Sequence, residues 1–316
     1  MGYLNSLNKL LMVSTLFIIV LISNGCEKEL FYDLEKKGGT ITLFSFIQPD
    51  SVLKISISKS VSIVDARSYS FVEDTRFIIY ENNVLYRNQV YPDNSLVSAW
   101  PATNFTAHDT IKILLLQNNE EVASATTIIP EKVEINHIDS IRTSRAGSNG
   151  SPQEVMRLTL SFTDIPLENN YYQLMIIAES DSVDGINYVK NREIISFDKN
   201  DKIFNNPDQG TSSIGTIDFQ GLFTDYEVDG DNIDIHVELP VDYFNESEVL
   251  ENQHIIVLLY HLSKDYYLYM HSRIIADSYD GVPIFDPVKI HTNVSGGHGV
   301  FGSLTHDADT IYVGSP

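Results

Sequence analysis

Cysteine is nearly absent from this chain of 316 residues: Cys26 is the only one. A lone thiol excludes any disulfide within the chain. Basic residues are also scarce, with 21 lysines and arginines against 43 aspartates and glutamates, for a net charge of −22. A chain so acidic repels phosphate backbones instead of releasing their counterions, which excludes nucleic acid as a partner. The apolar run Leu10 to Ile22 covers only about 13 residues, too short to span a bilayer comfortably. Other signatures are missing too. There is no repeat of fixed period, no low-complexity tract, no H-E-x-x-H and no G-x-S-x-G elbow.

The first thing present is an export signal. Lys9 and the amino terminus precede the apolar run, and the small residues Ser23 and Gly25 lead into Cys26. The segment resembles a bacterial lipobox, with residues 1–25 as signal peptide and Cys26 acylated as the new amino terminus. Leu21 and Ile22 lie further from Cys26 than the strictest lipobox pattern places its large apolar residue. Two or more acyl chains, at about 0.8 kcal/mol per buried methylene, would anchor the protein stably to a membrane. Acylation would also consume the thiol, leaving the mature chain without thiolate or sulfur-ligated metal chemistry. Directly behind it stand Glu27, Lys28 and Glu29, an acidic cluster resembling the signal that sends Bacteroidota lipoproteins to the outer face of the outer membrane. The expected location is therefore the cell surface, attached through lipid.

Hydrophobic residues make up 43% and aromatics 10%, enough for a substantial core, and about 290 mature residues suggest two domains. Period-two alternation dominates. Leu53, Ile55 and Ile57 oppose Lys54, Ser56 and Ser58. The same pattern recurs in Met156, Leu158, Leu160 and Phe162, and in Ile233, Ile235, Val237 and Leu239. "RFIIYENNVLYRNQV" and "DTIKILLLQNNEEVASATTII" each place apolar arms around an Asn-Asn pair that tolerates positive φ, which predicts two antiparallel hairpins. Pro130, flanked by extended runs, marks the expected joint between domains 26–130 and 131–316. The Gly/Ser-rich stretch Thr143 to Gln153 reads as a loop between strands around Ile138 and Leu158. One helix is expected in "LSKDYYLYMHSRII", with Ser263 as its cap, Asp265 in its first turn and Tyr266, Tyr269, Met270 and Arg273 at helical spacing.

Several patterns imitate chemistry. Gly297, Gly299 and Gly302 satisfy G-x-G-x-x-G, but the chain has no room after them for a βαβ unit, so a bend or bulge is the expectation. Asp225, Glu227, Asp229 and Asp231 with Gly230 copy calcium-loop spacing, yet His236 stands where the bidentate Glu belongs. The Asp-Gly pair there reads as a hairpin turn. His291, His298 and His306 share one segment without a zinc-ligand spacing. No metal or cofactor is therefore expected. Tyr266, Tyr267 and Tyr269 are candidate contacts for a flat ligand or partner, set against the alternative that they fill a core.

"CEKELFYDLEKK" with "FIQPDSVLKISISKSVSIVD", then "LSKDYYLYM", then "NVSGGHGVFG" together resemble the Bacteroidota lipoprotein family filed as domain of unknown function 4249. The likeness covers the mature chain. It implies an Ig-like strand pair in the first half and an Asp-containing hairpin in "LFTDYEVDGDNIDIHVEL". Members resemble accessory lipoproteins encoded beside TonB-dependent outer-membrane transporters, and no catalytic residue carries over. The expected fold is all-β, an N-terminal Ig-like sandwich followed by a larger antiparallel β-rich domain with one short helix. The expected function is a non-catalytic binding or accessory module for such a transporter and its small nutrient. A surface hydrolase of glycans or peptides, or a structural adhesin, is the alternative.

Overall fold

Buried and exposed side chains alternate along the strands of the computed structural model, which describes residues 39–61, 69–147, 150–184, 187–204, 217–226, 228–241, 251–279 and 288–312. Seven strands precede Pro130: β1 (Ile41–Ile47), β2 (Val52–Lys59), β3 (Thr75–Glu81), β4 (Val84–Val90), β5 (Val97–Ala102), β6 (Thr110–Gln117) and β7 (Glu120–Ile128). After it come β8 (Ile135–Ala146), β9 (Pro152–Thr163), β10 (Tyr171–Asp184), β11 (Asn187–Ile194) and a short 3-10 turn (Lys202–Phe204). Then follow β12 (Leu222–Thr224), β13 (Asn232–Pro240), β14 (Glu251–Leu262), helix α1 (Lys264–Tyr279) and β15 (Gly297–Tyr312). The fold is all-β with a single helix among the described residues. That helix is not long and apolar enough to cross a membrane.

Both Asn-Asn hairpins form. Asn82 and Asn83 turn β3 into β4 with φ of 49° and 68°, and Asn118 and Asn119 turn β6 into β7 with 52° and 65°. Two consecutive positive φ values are what a two-residue hairpin loop needs, and Asn tolerates them better than most residues. The long β8–β9 hairpin encloses the Gly/Ser-rich stretch, whose outer residues extend the two strands.

Among the described residues the strands form three sheets. One has eight strands, ordered β11-β10-β14-β15-β1-β2-β5 with β12 also on β10. The other two run β13-β9-β8 and β4-β3-β6-β7. The first core lies where Phe77, Ile79, Ile113 and Leu115 of the four-stranded sheet meet Leu43, Ile55 and Ile57 of the large one. The second lies where Leu158, Leu160, Phe162, Ile235 and Val237 of the three-stranded sheet meet Tyr172, Leu174, Ile176, Val257 and Leu259. The alternating positions named from sequence are thus the buried faces. A smaller cluster forms under α1 around Phe219, Leu222, Leu262, Tyr267 and Ile274.

Two features depart from local expectation. β15 pairs in parallel with β1, from Ile41 opposite Gly297 to Ile47 opposite Ser303, and antiparallel with β14, from Leu262 opposite Leu304 to His254 opposite Tyr312. The last strand therefore joins the segments on either side of Pro130 in one sheet, and its Phe301, with nearby Val294, enters the first core. Second, the Asp-Gly segment is a turn but not a hairpin. β12 pairs with β10 in the large sheet, whereas β13 pairs with β9 in the three-stranded one, so the turn carries the chain between layers.

Candidate functional site

Residues on the solvent side of β13 and β9 face each other across the ladder. With Ile233, Ile235, Val237 and Leu239 turned into the core, Asn232, Asp234, His236 and Glu238 must point outward. Opposite them stand Thr163, Ser161, Thr159 and Arg157. Each pair is hydrogen-bonded. Thr163 donates to Asn232 at 2.7 Å, Ser161 donates to Asp234, the Thr159 hydroxyl meets His236 Nδ1 at 3.1 Å, and Arg157 Nη2 donates to Glu238 Oε1 at 2.8 Å.

A second segment then lies along the free edge of β13. The Asp198 amide donates to the Glu238 carbonyl at 2.9 Å, and Asp201 Oδ2 accepts the His236 amide at 2.9 Å. Asp201 Oδ1 accepts the Ile203 amide, and buried Phe204 anchors the 3-10 turn in the core. Between this segment and the strand side chains opens a cleft of 470 Å³. It is lined by Asp198, Asn200, Asp201 and Lys202 on one side and Arg157, Asp234, His236 and Glu238 on the other. Arg145 of β8 crosses behind it, bonding both Asp198 and Glu238 Oε2. The Asp198 hydrogen bond, reinforced by both carboxylate charges, holds the Arg145 guanidinium above its ordinary pKa.

A different cluster sits where β9 leaves and β13 enters. Asp164, Asp225 and Asp229 each offer an oxygen within 4.8 Å of the others, which is the spacing a cation would need. Their hydrogen bonds serve the turns. Tyr172 donates to Asp164 Oδ1 at 2.6 Å, the Gly230 amide to Asp164 Oδ2 at 2.8 Å, the Asn170 amide to Asp225 Oδ2 at 2.9 Å and the Leu167 amide to Asp229 at 2.7 Å. Burial pushes Asp225 above the usual carboxylate range, and the neighbouring charge of Asp164 adds to the shift. Burial, with Asp164 second, also raises the Tyr172 phenol. Of the calcium-like positions, only Asp225 and Asp229 enter this cluster. Asp231 contributes its carbonyl to the Asp164 amide, and Glu227 lies outside the described residues. Asp164 carries no local signature of this cluster, because the two acids it meets are more than 60 residues away; the only local sign is an acid just after a strand and ahead of Pro166.

The family described as a domain of unknown function, DUF4249, matches residues 27–309. The chain belongs to this family. No curated protein matches it.

Among the described residues, three stretches that carry the DUF4249 likeness, those holding Phe46, Tyr266 and Gly302, meet at α1 and β15. Tyr266 stacks on Phe46 with ring centroids 4.3 Å apart, Tyr269 lies against Phe44, and Tyr267 contacts Tyr171 and His271. Tyr267 and Tyr269 are 5% and 9% exposed, so the candidate contact stripe forms the seam between helix and sheet. The glycines of "GGHGVFG" serve that same seam. A Cβ on Gly297 would lie 2.5 Å from the Ile41 carbonyl oxygen, one on Gly299 2.0 Å from that of Leu43, and one on Gly302 2.8 Å from the Tyr266 Cβ. They lie in a strand pressed between a neighbouring backbone and a helix, which is where a strand glycine belongs.

The three histidines stay apart. His291 bonds Asp265 at 2.8 Å, His306 accepts from Gln48 and stacks on Tyr260, and exposed His298 stands opposite Thr42. His298 and His306, eight places apart on one strand, are about 26 Å distant along it. Cys26, Glu27, Lys28 and Glu29, together with residues 1–25, lie outside the described residues.

Proposed function

We propose that this DUF4249 protein is a lipid-anchored binding module of the outer-membrane surface, non-catalytic, working beside a TonB-dependent transporter on a small nutrient. The observation that carries the reading is the cleft beside β13. Its walls belong to a paired sheet and to a segment pinned to that sheet's edge, so its polar groups are held in place before a ligand arrives. The carboxylates Asp198, Asp201 and Glu238 are committed to Arg145, Arg157 or backbone amides, an arrangement suited to holding a ligand more than to activating water or a nucleophile. The lipobox-like segment ending at Cys26 and the acidic residues behind it support surface anchoring. The two facing sheets before Pro130 are read as the Ig-like sandwich that lifts this cleft from the membrane.

The test is to purify the full-length lipidated protein from native outer membrane in mild detergent, beside a Cys26→Ala control, and identify co-purifying proteins by mass spectrometry. A stoichiometric TonB-dependent barrel, lost with the control, is the expected result. A partnerless lipoprotein would turn the assignment toward a free-standing hydrolase or adhesin.

A further inference from the structure

We propose that the cleft between β13 and the Asp198–Lys202 segment takes a neutral, hydroxyl-rich ligand of the saccharide class; this rests on the binding-module reading above and names its ligand. The argument is one of hydrogen-bonding capacity. Around the cleft, Asp201 has both oxygens on backbone amides, Glu238 has both on arginines, and Asp198 is held by Arg145. Among the described residues this leaves the Lys202 ammonium, the Asn200 amide, one oxygen each of Asp198 and Asp234, and Nε2 of His236 without partners. The side chains of Asn200, Lys202, Asp234 and His236 are exposed to the cleft. Together they offer both donors and acceptors: a charged donor, a charged acceptor, an amide that is both, and an imidazole nitrogen whose role follows its tautomer.

Each alternative class fails on a named group. An anion would meet the carboxylates of Asp201 and Asp234, which no arginine or lysine neutralises among the described residues. An organic cation would meet Lys202 and Arg157 and find Glu238 already neutralised by two arginines. A metal ion needs converging oxygens, and among the described residues the cleft acids do not form such a group. An apolar side chain of a peptide would meet only the stems of charged and polar residues, with no aliphatic or aromatic residue to pack against. A hydroxyl group donates to Asp234 and accepts from Lys202 or Asn200 with the same atom, and adjacent hydroxyls on a ring do so at several points at once. The volume of 470 Å³ lies within the range of about 300–1,000 Å³ typical of small-molecule sites.

The experiment screens the detergent-purified full-length protein on an array of neutral oligosaccharides, then measures the best ligand by calorimetry. Asp234→Ala and Lys202→Ala are measured beside it. Both side chains are exposed, so an unchanged Tm verifies the fold of each variant. The expected result is binding of at least one neutral glycan, weakened about tenfold or more by either substitution, with no competition from glucose 6-phosphate, spermidine or trialanine. The inference is overturned if no neutral glycan binds, if both variants bind as well as the parent, or if one of those three probes occupies the cleft instead. The two proposals fail separately. A co-purifying barrel with a protein that ignores all glycans removes the ligand class alone, whereas glycan binding without a barrel removes the transporter alone.

Discussion

At Gly299 the backbone φ is +105°, and an added methyl group would sit 2.0 Å from the Leu43 carbonyl oxygen. Both the dihedral and the collision penalise any other residue, so Gly299→Ala is expected to cost at least about 2 kcal/mol. A lowered urea midpoint with an unchanged m-value is the measurement. Two buried carboxylates make opposite predictions with pH. Glu179, whose side chain is 6% exposed, meets Lys190 at 2.8 Å, His254 at 3.1 Å and Arg192 at 3.3 Å. The Lys190 hydrogen bond, opposed by burial, holds its pKa below the ordinary 4.5. A lowered native pKa means stability that is complete above the ordinary value and lost as pH falls from there through the native one. Glu179→Gln should therefore flatten the acid limb of a plot of stability against pH. Asp225 is raised by burial, so its contribution is present at low pH and is lost as pH rises through the native value. Asp225→Asn is expected to raise Tm at pH 7 and to lose that advantage at pH 4, as thermal scans at the two pH values would read.

Among the elements, helix α1 shows where local rules hold and where they yield. Its position was legible from Ser263, Asp265 and the spacing of its aromatics, and Ser263 does begin it, accepting the Tyr267 amide on its carbonyl at 3.0 Å. The Ser263 hydroxyl, however, accepts the Ser303 amide of β15 at 3.0 Å, so the cap residue also ties the helix to the strand. Seating depends on Gly302, whose missing side chain makes room for Tyr266. Gly302→Ala should displace the Tyr266–Phe46 stack and lower stability by about 1–3 kcal/mol, with faster amide exchange in α1 than in β14. The hairpins were fully legible because Asn-Asn at a two-residue loop carries its backbone conformation with it. The crossing from β12 to β13 was not. Nothing in "DYEVDGDNID" states that the strands on either side belong to different sheets.

Across the whole molecule, β15 has the widest reach, since it lies between β14 and β1 in the large sheet and sends Phe301 into the first core. A chain ending at Pro130 would leave the β1 edge unpaired and the first core short of Phe301 and Val294. Residues 27–130 alone are therefore expected to lack dispersed amide resonances and near-ultraviolet circular dichroism, while the full chain unfolds in one transition. Recovery of a folded 27–130 fragment would establish that its two sheets suffice without the last strand.

What the sequence determined by itself is the all-β class, the buried faces of β2, β9 and β13, both Asn-Asn hairpins and the helix, because period, turn chemistry and capping act over a few residues. Family membership also belongs to that level. Tertiary structure alone decided the parallel return of β15, the meeting of Asp164 with Asp225 and Asp229, and the cleft beside β13. Each of these joins residues more than 30 places apart in the chain. The outward residues of β13 and β9 read as ordinary solvent-facing polar positions until strand pairing sets Arg157 against Glu238 and brings Asp198 to the edge. The physical reason is that a charged side chain on a half-buried strand satisfies local patterning equally well whatever lies opposite it, and only packing of the layers decides what does.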